Sequence, residues 1–386
     1  MKRVLHIIPS LKGGGAERQL TNIVCNASGE FGHLICVFQD SDFFAPEVRR
    51  AGHAVRELGL TGKHPWLSGV RRLLPVIRDY QPDLIKTWLY DANIVGRLAL
   101  LRNRKIPLVT TLHSLDYEPE TMRAGDWSPV NVEGLRRIDK LTARLTNPHF
   151  VAVSNYVKKS AQKRLGIADA RIEVIYNGVD PESLKCAAGE AESLRRELEI
   201  PAEAFVYVTV GRVDTLKNHA LLLRVFPQIL ENVPQAYLAI VGTGILEQEL
   251  KDLANSLGIE QRVRFLGRRK DVGACLEMGD AFVFPTLLEG HPLALVEAMF
   301  KKLPCAASDL EVLREVIVDG ESGILFDLNK SDELVRAMTE LFRQPELARR
   351  LGEEARRVAE KRFHIRVAVA EWENYYRRII GEAARK

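Results

Sequence analysis

Cysteine is scarce in this sequence of 386 residues, and what there is does not pair. Cys25, Cys36, Cys186, Cys275 and Cys305 are scattered, odd in number and without a CxxC, which argues against a disulfide framework and reads as reduced thiols filling core space. HExxH and Cys/His ligand clusters are missing, so no zinc site is expected. No run of about 18 apolar residues occurs, so no membrane-spanning helix is expected. The short basic start is followed by VLHIIP with no small-residue cleavage site, and reads as a first strand, not a signal peptide. Internal repeats of solenoid period and low-complexity segments are also absent. What remains, 46% hydrophobic and 27% charged, is an ordinary globular composition on a chain long enough for two domains of about 150 to 200 residues.

The net charge of +4 hides an asymmetry. Residues 1–180 carry 26 Lys and Arg against 18 Asp and Glu, and the remainder carries 29 against 33. A basic first half suits an anionic surface such as a phospholipid leaflet, a lipid diphosphate or nucleic acid, and it suits equally well a set of solvated helices. Tyr117, Trp127 and Pro129 adjoin the basic run Arg136, Arg137, Lys140 and Arg144, and His64, Pro65 and Trp66 sit in a second basic stretch from Lys63 to Arg72. Tryptophan beside Lys and Arg fits a membrane interface or an amphiphilic acceptor; core Trp with surface Arg is the ordinary alternative. Asp40, Ser41 and Asp42 form a DxD that would suit a divalent ion, although a solvated strand-end loop is the stronger reading.

Short apolar runs alternate with helical patterns along the whole chain. RVLHIIP, HLICVFQ, DLIKTW, PLVTTLH, HFVAV and RIEVIY in the first half, then AFVYVTV, AYLAIV, RVRFLG, AFVF and LPCAA in the second, read as strands of parallel sheets covered by helices. The turn residues Asn177, Gly178 and Pro181 place a boundary near residue 180. The expected fold is therefore α/β with two Rossmann-like domains, 1–180 and 181–360. Residues 361–386 form a terminal helix, expected to pack back toward the first domain.

The most informative stretch is AFVFPTLLEGHPLALVEAMF, residues 281–300. A strand turns at Pro285, and helical spacing resumes at Pro292, a residue suited to the first position of a helix. Glu289, Gly290 and His291 then lie on a strand-to-helix loop, and Glu297 on the second helical turn. The free N–H groups of the helix start favour an anion, and a carboxylate on either side accepts hydrogen bonds from hydroxyls. A ligand with hydroxyls beside phosphates, such as a sugar nucleotide, fits both. Two glutamates eight residues apart also occur by chance, and Glu297 alone reads equally as a solvated helix position.

Other segments add to this picture. Gly13 to Gly15 leave backbone uncovered where a phosphate would approach, or make a plain tight turn. His113 lies at a strand end, where open α/β sheets gather ligands, or is a structural histidine bonded to backbone. Arg212 and Lys217 follow a strand ending at Gly211 and precede a helix near Asn218, so two cations would neutralise a diphosphate without metal. Gly242 and Gly244 form a GxG after a strand, but the third glycine and the acid at the next strand end are missing, so the dinucleotide fingerprint fails.

Taken together, GGGAERQL, TTLHS at 110–114, VGRVDTLKN at 210–218, VGTG at 241–244, Glu289 with Glu297, and DGESGILF at 319–326 resemble the retaining glycosyltransferases of family 4. The likeness is strong over roughly 205–327 and looser across the first domain. It implies the GT-B architecture, two Rossmann-like domains with parallel sheets facing a central cleft. By the resemblance Arg212 and Lys217 would hold the donor diphosphate, Glu297 the ribose hydroxyls and Glu289 the hydroxyls of the transferred sugar. Backbone at Pro292, Leu293 and Ala294 would support sugar and phosphate, His113 would come from the other domain, and Gly14 with Gly15 would complete the cleft. The implied donor is a nucleoside-diphosphate sugar, with no cofactor and no metal. The implied acceptor is a glycan or lipid-linked glycan, handled in the cytoplasm at an anionic membrane face, with no nucleic-acid partner. A sugar-nucleotide epimerase of the same architecture is the alternative. Leu310 and Glu311 depart from the family's usual glycine pair, and His291 stands where Phe is common; both leave the donor sugar open.

Overall fold

The computed structural model describes residues 1–39, 43–62, 64–101, 105–125 and 128–385. The DxD at Asp40 and Asp42, Lys63 and Trp127 lie outside the described residues. The chain divides into two compact units, Met1–Met122 with Asp126–Val179 and Ile365–Lys386, and Asp180–His364 with Arg123–Gly125.

The first unit is built on seven strands: β1 (Lys2–Ile8), β2 (Phe31–Val37), β3 (Ala54–Glu57), β4 (Leu84–Trp88), β5 (Leu108–Leu112), β6 (His149–Ala152) and β7 (Ile172–Val174). Their order is β3-β2-β1-β4-β5-β6-β7, and every neighbouring pair is parallel. Parallel neighbours need crossovers, and helices buried on both faces explain why these strands are apolar runs and not alternating ones. Side chains still alternate between faces. Val4 and Ile8 of β1 join a core with the helices Gly15–Cys25 and Ile365–Ala384, whereas Leu5 and Ile7 join a core with the helices Trp66–Tyr80 and Tyr90–Leu100. The last helix of the chain thus packs on the first sheet, through Trp372, Tyr375, Tyr376 and Ile379.

The second unit carries β8 (Phe205–Val210), β9 (Ala236–Val241), β10 (Val263–Gly267), β11 (Ala281–Phe284), β12 (Cys305–Ser308) and β13 (Ile324–Phe326), in the order β10-β9-β8-β11-β12-β13, again all parallel. Each sheet winds outward in both directions from a central pair, β1 with β4 and β8 with β11. At such a switch point the loops after the two strands diverge and leave a crevice at their carboxyl ends. No described helix is long and apolar enough to cross a membrane.

Sequence reading misses β3 and β13. Both are sheet edges: β3 (AVRE) is half charged and largely exposed, and β13 (ILF) is apolar but only three residues long, too short to stand out as a strand.

Candidate functional site

In the second unit the switch point brings together the segment after β8 and the loop after β11. Beyond β8 the chain runs through Gly211 to Val213 alongside Gly242 to Gly244: Val213 N–H donates to Thr243 O at 3.0 Å, and Gly211 N–H to Val241 O at 3.0 Å. A Cβ on Gly242 would lie 1.9 Å from the Gly211 carbonyl oxygen, and one on Gly244 would lie 2.1 Å from that of Val213. The GxG therefore exists to let two backbone segments touch. Asp214 then accepts from Lys217 N–H at 3.1 Å and closes the short turn Thr215–Lys217.

That turn delivers the Lys217 ammonium to Glu289. Nζ forms an ion pair with Oε1, and the two side chains are only 17% and 10% exposed. The Thr286 hydroxyl lies 3.0 Å from the same oxygen, and the Phe284 ring lies 5.3 Å from Nζ. Leu287 N–H donates to Leu216 O at 2.8 Å, which ties the two loops together. Arg212 is placed differently: its side chain is 75% exposed, with Nη2 3.1 Å from Asp214. Of the two expected cations, one is held inside a pair and the other reaches into solvent.

The helix after this loop is Leu293–Phe300. Pro292 precedes it as the cap, at φ −85° and ψ 72°, so the expectation that it holds the first helical position is corrected by one residue: its ψ is far from helical. Leu293 and Ala294 are half-buried in the first turn, and Glu297 is half-buried on the second. Leu295, Val296, Ala298, Met299 and Phe300 fill the core behind them. His291 turns inward, edge-on to Phe363 at 5.5 Å, and burial together with Arg362 pushes its pKa down to about 3. It is a neutral packing residue, which explains why an aromatic ring suits the position. Leu310 caps the short helix Glu311–Arg314, and Arg314 forks onto Asp309 at 2.5 and 2.6 Å.

In the first unit Gly14 caps the helix that begins at Gly15, following β1. Glu17 sits in its first turn, and burial raises its carboxyl pKa. His113 follows β5 directly, is half-buried, and stacks on Trp88 with ring centroids 4.8 Å apart and planes 24° from parallel. It lines a small pocket together with Tyr90, Asn93, Asp116 and Tyr117. Asp139 lines the pocket as well; it accepts from Arg97, which is fully buried, and from Tyr117 Oη at 2.8 Å. Thr286, Asp214 and Trp88 are the residues that sequence reasoning missed. Only Asp214, in the turn chemistry of VDTLKN, carries a local signal.

Two units, each a parallel sheet covered by helices with a crevice at its switch point, are the GT-B architecture. The chain belongs to glycosyltransferase family 4: the Glycosyltransferase Family 4 model matches residues 13–183, and the Glycosyl transferases group 1 model matches residues 190–358. It is 27% identical over 323 residues, 82% of this chain and 78% of the relative, to the Escherichia coli UDP-Gal:alpha-D-GlcNAc-diphosphoundecaprenol alpha-1,3-galactosyltransferase. It is 26% identical over 274 residues, 70% of this chain and 68% of the relative, to the N-acetyl-alpha-D-glucosaminyl L-malate synthase of Bacillus anthracis. Among solved structures, Anabaena Alr3699/HepE in complex with UDP and glucose superposes with a TM-score of 0.84 at 23% identity, covering 97% of this chain and 99% of that one.

Proposed function

We propose that this glycosyltransferase acts with retention at the anomeric carbon, without a metal ion. It moves a sugar from a nucleoside-diphosphate donor to a hydroxyl of a glycan or lipid-linked glycan. The Lys217–Glu289 pair at the switch point carries the reading. Oε1 of Glu289 is held by Lys217, with the Thr286 hydroxyl 3.0 Å away, and Oε2 is proposed to accept from hydroxyls of the transferred sugar. Lys217, the guanidinium of Arg212 and the N-terminus of Leu293–Phe300 then supply positive charge for the leaving diphosphate, Glu297 takes the ribose hydroxyls, and Gly14, Gly15 and His113 keep the roles the family resemblance implies.

In this mechanism the bond between the anomeric carbon and the phosphate oxygen breaks as the acceptor oxygen bonds to the same face of that carbon, and the departing phosphate takes the acceptor's proton. The protein's contribution is electrostatic: charge grows on the leaving oxygens, and cations already in place lower its cost. The relative named for UDP-galactose transfer supports a UDP-sugar donor, and the structural neighbour crystallised with UDP is consistent with it.

Contact with an anionic leaflet on the cytoplasmic side is supported by exposed apolar and basic residues on two helices of the first unit. Leu67, Arg71, Leu74 and Arg78 form one stripe of Trp66–Tyr80, and Val130, Arg137, Leu141 and Leu145 lie exposed on Pro129–Thr146.

Thermal melting against UDP, GDP, ADP and their sugar conjugates, each with and without EDTA, tests the reading. A ligand at about 100 times its Kd adds about 2.7 kcal/mol, a shift of several degrees. One base alone should shift the melt, and EDTA should leave the shift unchanged. No shift with any nucleotide overturns the donor site, loss of the shift in EDTA overturns metal independence, and an epimer formed from donor alone identifies the epimerase instead.

A further inference from the structure

His113 rests on a ring that is held from several directions. Trp88 is completely buried, and its indole Nε1–H donates to His6 Nδ1 at 3.2 Å. An indole nitrogen only donates, so His6 Nδ1 must accept and the proton of a neutral His6 sits on Nε2. That nitrogen is 2.9 Å from His33 Nδ1, which accepts in turn. Both rings are buried, and burial pushes both pKa values down, that of His33 to about 3, so the pair stays neutral and each tautomer is set by the ring before it. On the same strand as Trp88, Lys86 is also completely buried. Its Nζ lies 4.1 Å from the Trp88 ring centroid, 3.0 Å from that of Trp372 and 3.2 Å from Tyr376 Oη. The indole therefore has its edge fixed by β1 and β2 and its ring pressed by a side chain anchored on the terminal helix.

The backbone at this point is strained as well. Leu89, the residue after Trp88, has φ 67° and ψ 165°, a region that side chains rarely adopt. Such strain persists where the surroundings over-determine the conformation, and it clusters at functional sites. Here it turns the chain from β4 into the helix Tyr90–Leu100.

We infer that Trp88 is a positioning residue for His113: the stack sets the plane of the imidazole, and the His6–His33 pair with Lys86 sets the plane of the indole. One face of the imidazole is covered, and the hydrogen-bonding directions of its nitrogens lie in the ring plane that Trp88 determines. The inference rests on the reading of His113 as a residue of the transfer reaction. It assigns Trp88 no contact with substrate.

A double-mutant cycle on the full chain tests it, with kcat, donor KM and melting temperature measured for Trp88→Leu, His113→Ala and the double variant. Trp88→Leu should lower kcat about tenfold or more, the scale of a misplaced catalytic group, with donor KM within about twofold. In the His113→Ala background the same change should lower kcat less than about twofold, because its route to the reaction is already gone. Equal losses in both backgrounds overturn the inference and leave the function standing. A His113→Ala enzyme with unchanged kcat overturns the role of His113, and the inference with it.

Should Trp88→Leu fail to fold, Trp88→Phe keeps the core filled and provides a second measurement. With carbon-13 in the histidine rings, the His113 ring signals of the native protein should be shifted upfield by the indole and move downfield in Trp88→Phe. Signals that stay in place overturn the stack as the determinant.

Discussion

Lys217 and Glu289 stand 72 residues apart and meet as an ion pair at the carboxyl ends of β8 and β11, with both side chains largely shielded from water. Each partner holds the other in position and balances its charge. Removing one strands a shielded charge, whereas removing both does not. Lys217→Met should cost about 1–3 kcal/mol and lower the melting temperature by several degrees, and Lys217→Met with Glu289→Gln should recover most of that loss. Both variants should lose transfer by at least about a hundredfold in kcat. Near-normal kcat in either would remove the pair from the mechanism.

Gly242 is confined by its neighbour's backbone. Its φ is 138°, and a Cβ would lie 1.9 Å from Gly211 O, so Gly242→Ala must push Gly211 and Arg212 away. The expected cost is about 3 kcal/mol or more, with loss of the nucleotide-induced melting shift. Gly258, at φ 67° but with open space around it, is the control: Gly258→Ala should cost about 1 kcal/mol and leave the nucleotide shift intact. Equal effects at the two positions, read by melting with and without UDP, would contradict the steric account.

Four buried imidazoles make the fold acid-sensitive. Burial holds His6 well below the usual imidazole range. It lowers the pKa of His33 and His291 to about 3 and that of His219 to about 4, where Lys217 adds to the effect. An unfolded imidazole titrates near 6.5, so below that pH the unfolded chain takes up protons that the folded chain refuses. Stability is therefore complete above about pH 6.5 and falls as the pH drops toward the folded values, by on the order of 1 kcal/mol per pH unit for each imidazole. His291→Phe removes one of the four and fills the same space beside Phe363. Its melting temperature should stay within about 2 °C of the native value at pH 7.5 and exceed it at pH 5. The same difference at both pH values would sink the assignment of His291 as a neutral buried ring.

Asp139 lines the His113 pocket and is paired with Arg97. Arg97 is fully buried and donates to the Asp139 carboxylate, to its carbonyl at 3.1 Å and to Thr142 Oγ1 at 3.3 Å. Asp139→Ala leaves a buried guanidinium without its counter-charge and should cost about 3–5 kcal/mol. Tyr117→Phe removes only one hydrogen bond to Asp139 and should cost about 1 kcal/mol, both read by urea unfolding.

Much of this was legible in the sequence because its causes are local. AFVYVTV and AFVF announce buried strands by composition alone, and EGHPLALVEAMF announces a loop running into a helix by proline and by spacing. The edge β3 escapes because it buries too little to need an apolar run, and the edge β13 because its apolar run is only three residues long. The GxG at Gly242 reads locally as an incomplete dinucleotide fingerprint, and its actual cause, the carbonyls of Gly211 and Val213, lies on another strand's loop. His291 reads locally only as a loop residue, and Phe363, 72 residues further on, shows that it faces the core.

The sequence by itself determined the two parallel α/β units, the strand ends at which Arg212, Lys217, Glu289 and His113 lie, and the family, because each depends on the order and spacing of residues along the chain. Tertiary structure alone decided that Lys217 pairs with Glu289 while Arg212 faces solvent, and that His113 lies on an indole locked by His6 and Lys86. Those outcomes depend on which side chains exclude water from one another across strands far apart in the chain, and no local pattern encodes that.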